Sequence, residues 1–238
     1  MKLDILAIGV HPDDVELSCS GTLLKHIAAG KKAGILDLTR GELGTRGSAE
    51  LRTKEAMASA AILGVHVREQ LNMPDGFFEN NETYQRQIIE VIRRYRPEIV
   101  LCNAVSDRHP DHGRAAKLTA DACFYSGLVK IETLEHGQKQ SAWRPKAVYH
   151  YIQDNYINPD FVVDISAYMD KKMESIMAFS SQFYDPNSKE PETPISSKNF
   201  VEYVKSKHAL MGRSINAMYA EGYTVTRIPG VDNLFDLK

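Results

Sequence analysis

Four segments of strand length occupy the first 102 positions, 3–10, 33–39, 65–71 and 98–102, and the first and last of them carry apolar runs (3–10 and 99–102). Runs of this length bounded by turn formers suit strands buried on both faces. The intervals between them have helical spacing. Leu23, Leu24 and Ile27 share one face of a helix over 21–30, which Gly30 stops. A glycine-rich loop, 40–49, leads to a helix from about Glu50, with Leu51, Ala56, Ala60 and Leu63 on one side and Gly64 as its stop. Ile88, Ile89 and Ile92 give 82–95 the same periodicity, and Pro97 breaks it. The second half is less regular. A helix is expected over 111–126, a polar loop over 130–143, and strands over 147–152 and 161–164. Further helices are expected over 170–179 and 197–211, with a proline-bearing loop at 184–194 and an irregular tail from Tyr223.

Alternation of this kind predicts an α/β fold: a Rossmann-like, doubly wound, mostly parallel sheet with helices on both faces. The common strand order, 3-2-1-4, makes strands one and four neighbours, and ligands bind beyond the carboxyl ends of strands at that reversal. No linker, repeat or low-complexity segment divides the chain, so one domain over 1–238 is expected. A hydrophobic content of 43% and a charged content of 25% fit a globular protein. The formal net charge of -2 offers no pull toward nucleic acid or an anionic membrane. Three scattered cysteines (Cys19, Cys102, Cys123) suggest a reducing compartment. With no signal-peptide pattern and no apolar run long enough to span a bilayer, a cytoplasmic location is expected.

The chemistry concentrates at the ends of strands one and four. His11-Pro12-Asp13-Asp14 follows the first, and His109-Pro110-Asp111-His112 follows the fourth. Adjacent carboxylates repel unless a cation lies between them. His11 and Asp14 can be aimed at one point by a single tight turn, and His112 can join them from the neighbouring strand end. Three such ligands with a position left for water describe a catalytic zinc site. Asp13 is then free to act as base, His109 to stabilise an oxyanion, and Asp111 to hydrogen-bond an imidazole from behind. A protonated His109 would need a carboxylate, and Asp111 is the nearest in sequence. The set fits metal-assisted hydrolysis.

These residues resemble a known family. Gly9-Val10-His11-Pro12-Asp13-Asp14-Val15-Glu16 and His109-Pro110-Asp111-His112 are similar to the two signatures of the LmbE-like, or PIG-L, zinc deacetylases, which hydrolyse the acetamide of N-acetylglucosamine conjugates. Gly41-Glu42 with Gly44, Arg52 with Glu55, Leu63-Gly64-Val65, Asp75-Gly76, Ser181-Gln182-Phe183 and Tyr219-Ala220-Glu221 fall in family order. The Val15-Glu16 ending and the chain length most resemble the bacillithiol-biosynthesis deacetylases, which act on N-acetylglucosaminyl malate. The resemblance implies zinc on His11, Asp14 and His112, with Asp13 as general base and His109 on the oxyanion. It also implies Arg52 against sugar hydroxyls, Asp75 in sugar contact, and a homo-oligomer, a hexamer as in similar proteins. Another divalent metal is compatible with such N and O ligands. Val10, Ser18 and Ser20 depart from the commoner small residues beside the site.

Plainer readings compete. One His-Pro-Asp alone is a turn; two copies after separate strands, the second ending in His, are harder to read that way. Glu42 and Arg46 are candidate substrate contacts because loops at strand ends carry sites, although a solvated loop has the same composition. Arg108 adjoins the second motif and is the candidate for clamping a substrate carboxylate. Glu16 could favour the N-terminus of the following helix. An amidase of thiol conjugates shares the motif, as would a deacetylase of other N-acetylglucosamine substrates such as chitooligosaccharides. A nucleotide-binding module without catalysis would need glycines where strand one ends in His-Pro-Asp-Asp. A structural zinc protein would need a closed, cysteine-rich site.

Overall fold

In the computed structural model, which describes residues 1–237, the expected alternation is present. Strand β1 (Ile5–Gly9) is followed by α1 (Asp14–Ser18), α2 (Ser20–Ala28), β2 (Ala33–Asp37), α3 (Ala49–Leu63) and β3 (Val67–Gln70). Then come α4 (Glu82–Tyr95), β4 (Ile99–Cys102), α5 (Pro110–Tyr125), a short hairpin of β5 (Leu134–Glu135) and β6 (Gln138–Lys139), and β7 (Ala147–Tyr151). The chain continues through β8 (Phe161–Asp164), α6 (Met169–Met177), α7 (Lys198–Arg213) and β9 (Ala220–Thr224). The seven-stranded sheet has the order β3-β2-β1-β4-β7-β9-β8. Strands β1 to β4 and β7 are parallel; β9 runs antiparallel between β7 and β8. β1 and β4 are therefore neighbours, with Ile5 opposite Ile99.

Alternate side chains of β1 enter opposite cores, as pleating requires. Leu6 and Ile8 pack with Ile88 and Ile92 of α4 and with Leu118 of α5. Ile5 and Ala7 pack with Val15 of α1 and Leu23 of α2. Local capping accounts for the helix starts: Ser48, Asn81 and Ser197 each accept a backbone N–H from the first turn of α3, α4 and α7. Three expectations change. The segment 130–143 holds a small hairpin. The tail expected from Tyr223 begins later, because Tyr223 and Thr224 belong to β9. Glu16 does not serve the N-terminus of α2; its carboxylate is buried against Arg68 and Ser59. No helix among the described residues is long and apolar enough to cross a membrane.

Candidate active site

Every residue of the two motifs lies beyond the carboxyl end of a parallel strand, at the β1–β4 switch point. The first motif turns sharply: Asp13 has φ 116°, a left-handed conformation uncommon for a side chain larger than glycine. That turn sends the two neighbouring carboxylates in different directions. Asp14 opens α1 and faces the imidazoles, with Oδ1 3.2 Å from His112 Nε2 and Oδ2 3.9 Å from His11 Nδ1. Asp13 faces Arg52, whose Nη2 donates to it at 3.0 Å. The same Nη2 donates to Pro12 O at 2.7 Å, and Nη1 donates to Gly41 O at 3.2 Å. Gly41 is required there, since a Cβ at φ 62° would stand 2.0 Å from Arg52 Nη1.

Each imidazole nitrogen that faces away from Asp14 is held by a carboxylate. His11 Nε2 hydrogen-bonds Asp75 Oδ1 at 2.8 Å, and His112 Nδ1 hydrogen-bonds Asp107 Oδ2 at 2.5 Å. Such partners fix ring orientation and leave the other nitrogen to a metal. Asp14 is itself held by Asn103 Nδ2 at 2.9 Å and Gln153 Nε2 at 3.0 Å, from the ends of β4 and β7. His11, His109 and His112 each offer a nitrogen within 4.8 Å of the others. These imidazoles, with the Asp14 carboxylate beside two of them, form an N/O donor set of the kind zinc takes. A second group, His11 with Asp75 and Asp111, meets the same distance.

Protons and a divalent cation compete for this cluster. Burial opposes charge on His11, but Asp111, Asp75 and Asp14 raise it to about 10. His112 is raised to about 9 against burial by Asp14 and Asp107. Burial would raise Asp14, yet the two imidazoles hold it well below the ordinary carboxylate value. Asp13 is pushed up by burial to about 7, against the pull of Arg52. His109 is lowered by burial and by the neighbouring rings of His11 and His112.

The expected side-chain pairing of His109 with Asp111 is not formed among the described residues. Asp111 leaves the first turn of α5 toward the Asp75 loop. It accepts N–H bonds from Gly76 and from Arg114 Nη1, each at 2.9 Å, and lies 3.6 Å from His11 Nε2. His109 Nδ1 accepts the Asp111 backbone N–H at 3.3 Å.

A cavity of about 300 Å³ opens onto the cluster and is lined by Asp13, Asp75, Arg52, Arg108 and His109, among others. Arg46 and Glu42 are outside its lining. Arg46 is buried and reaches Phe183 O and the Ser188 hydroxyl, so it holds the 183–188 loop. Glu42 accepts the Asp75 backbone N–H at 2.8 Å and so positions the residue behind His11. Arg108 lies at the cavity and its Nε donates to Asp154 Oδ2 at 2.5 Å. Asp107, Asn103 and Gln153 escaped the reading of the sequence.

The sequence profile of the PIG-L family, described as GlcNAc-PI de-N-acetylase, matches residues 6–123. The solved structure of the conserved protein TT1542 from Thermus thermophilus superposes with a TM-score of 0.86 at 33% identity, covering 98% of each chain. The chain belongs to the PIG-L family. Like its PIG-L relatives, it is a hydrolytic enzyme of the N-deacetylating kind. Diacetylchitobiose deacetylase of Thermococcus kodakarensis is 29% identical over 237 residues, 95% of this chain and 84% of that protein. A probable N-acetyl-alpha-D-glucosaminyl L-malate deacetylase 2 of Bacillus anthracis is 25% identical over 196 residues, 75% of this chain and 81% of that protein.

Proposed function

We propose that this PIG-L domain, residues 1–238, removes the acetyl group from an N-acetylglucosamine conjugate with His11, Asp14 and His112 holding zinc. The supporting observation is the division between adjacent carboxylates: Asp14 faces two imidazoles, while Asp13 is turned to Arg52 in the same cavity. Zinc bound there supplies a Lewis acid for the acetamide carbonyl and lowers the pKa of water. Asp13 accepts a proton as the water oxygen bonds to the carbonyl carbon. His109 hydrogen-bonds the carbonyl oxygen as negative charge develops on it. The C–N bond then breaks, the amine takes the proton that Asp13 had accepted, and the acetyl group leaves as acetate. Beyond any contact with the sugar, Arg52 orients the base and Asp75 orients His11.

For substrate we favour N-acetylglucosaminyl L-malate, as in bacillithiol biosynthesis. The motif ending supports this, together with the Bacillus anthracis relative. Diacetylchitobiose is the second reading, because the Thermococcus kodakarensis relative spans nearly the whole chain. Acetate release from the two compounds, side by side, decides between them. Metal analysis of His11→Ala and His112→Ala should show occupancy falling sharply; full retention in either would mean the ligands are wrong. The reading includes a homo-oligomer, supported by exposed Ile228, Leu234 and Phe235 near the C-terminus.

A further inference from the structure

Lys207 on α7 lines the cavity and is 6% exposed. Its Nζ donates to Gln153 O at 2.8 Å. Among the described residues no carboxylate lies within ion-pair distance of it. Lys172 on α6 shows the contrast, since its Nζ is paired with Glu221 Oε1 at 2.8 Å and also donates to Glu16 O. A buried ammonium without a direct ion-pair partner is costly. Burial, with Lys172 nearby, lowers Lys207 to about 8 against the more distant pull of Asp154, Asp107 and Glu221. Tolerating that cost makes sense at a site that receives an anion. The surroundings suit a conjugate: Leu17, Ile195, Phe200 and Val204 give the cavity an apolar wall, and Gln153 links Lys207 to Asp14. Arg108, the candidate from sequence, already has Asp154 as partner and a half-exposed side chain.

We propose that Lys207 is the centre of an anion subsite that binds a carboxylate on the part of the substrate remote from the acetamide. This rests on the deacetylase reading and narrows its substrate class to acidic conjugates. The same chemistry could come from acetate, the released product, so the test separates the two sources.

The probe pair is N-acetylglucosaminyl malate and its dimethyl ester, which differ in charge. The native enzyme should favour the acid by at least about tenfold in kcat/KM, the scale of one charged hydrogen bond. Lys207→Met should abolish that preference through KM for the acid, and Lys207→Arg should restore much of it. A preference unchanged in Lys207→Met, or equal losses on acid and ester, overturns the proposal. So does a variant that relieves inhibition by acetate and keeps the preference, because the subsite would then belong to the product. Should Lys207→Met fail to fold, the native protein is tested directly. Succinate should slow acylation of Lys207 by acetic anhydride, read by peptide mass mapping, and dimethyl succinate should not; equal labelling with both overturns the subsite. If the native enzyme releases acetate from neither acid nor ester, the deacetylase reading fails, and the labelling experiment still judges the subsite.

Discussion

Asp107 holds His112 from behind, with its side chain buried and 2.5 Å from Nδ1. Losing such a partner typically costs about 10–100-fold in metal affinity. Asp107→Ala should therefore weaken metal binding on that scale, measured by chelator competition; undiminished affinity would show that His112 needs no orienting group. Asp13 should behave oppositely. Asp13→Asn preserves the shape beside Arg52 and removes the proton acceptor, so metal content should persist while kcat falls by about 10²–10⁴. Near-normal turnover would place the base elsewhere. The motif residues were legible because two His-Pro-Asp tripeptides after strands have no economical structural explanation. Asp107, Asn103, Gln153 and Lys207 were not, because each is an ordinary polar residue until its partner is known. Gln153 is 139 positions from Asp14 in sequence and 3.0 Å from it in space.

At the scale of elements, legibility followed burial. β1 and β4 are covered on both faces, and each is an unbroken apolar run. β9 is central too, yet its residues are Ala-Glu-Gly-Tyr-Thr. The glutamate that hides it is a tertiary device. Glu221 is fully buried and accepts N–H bonds from Gly21 at 2.9 Å and Thr22 at 2.6 Å, in the first turn of α2, while pairing with Lys172. A carboxylate there satisfies unpaired helix donors and meets the positive end of the helix. Glu221→Gln leaves Lys172 as an uncompensated buried charge, which costs about 3–5 kcal/mol. For a chain of this size Tm should fall by roughly 10 °C. Adding Lys172→Met should recover part of the loss, because the stranded charge is then gone. A double variant less stable than Glu221→Gln alone would show that Lys172 stabilises through its bond to Glu16 O rather than through the pair.

The whole molecule is tied together behind the site by one histidine. His208 on α7 has Nδ1 3.0 Å from Ala220 O in β9 and Nε2 3.3 Å from Leu17 O in α1, so it joins three elements that sequence places far apart. Two carbonyl neighbours favour a charged ring. Burial, with the ammonium groups of Lys172 and Lys207, opposes it and prevails, holding His208 well below its ordinary 6.5. Glu221, which follows Ala220 in β9, is already engaged by Lys172 and α2. The sign of the pH effect follows. Below 6.5 the unfolded chain binds a proton that the folded ring refuses, so stability falls as pH falls. One such proton gives a slope of about 1.4 kcal/mol per pH unit until the folded value is reached. His208→Gln does not titrate, and every other group is common to both proteins. The stability advantage of the native protein over this variant should therefore shrink between about pH 6.5 and about pH 5, at up to that slope. Denaturant titrations at equal metal load measure it. An advantage that stays level or grows in acid would mean that the two carbonyls hold a charged ring against burial and both lysines.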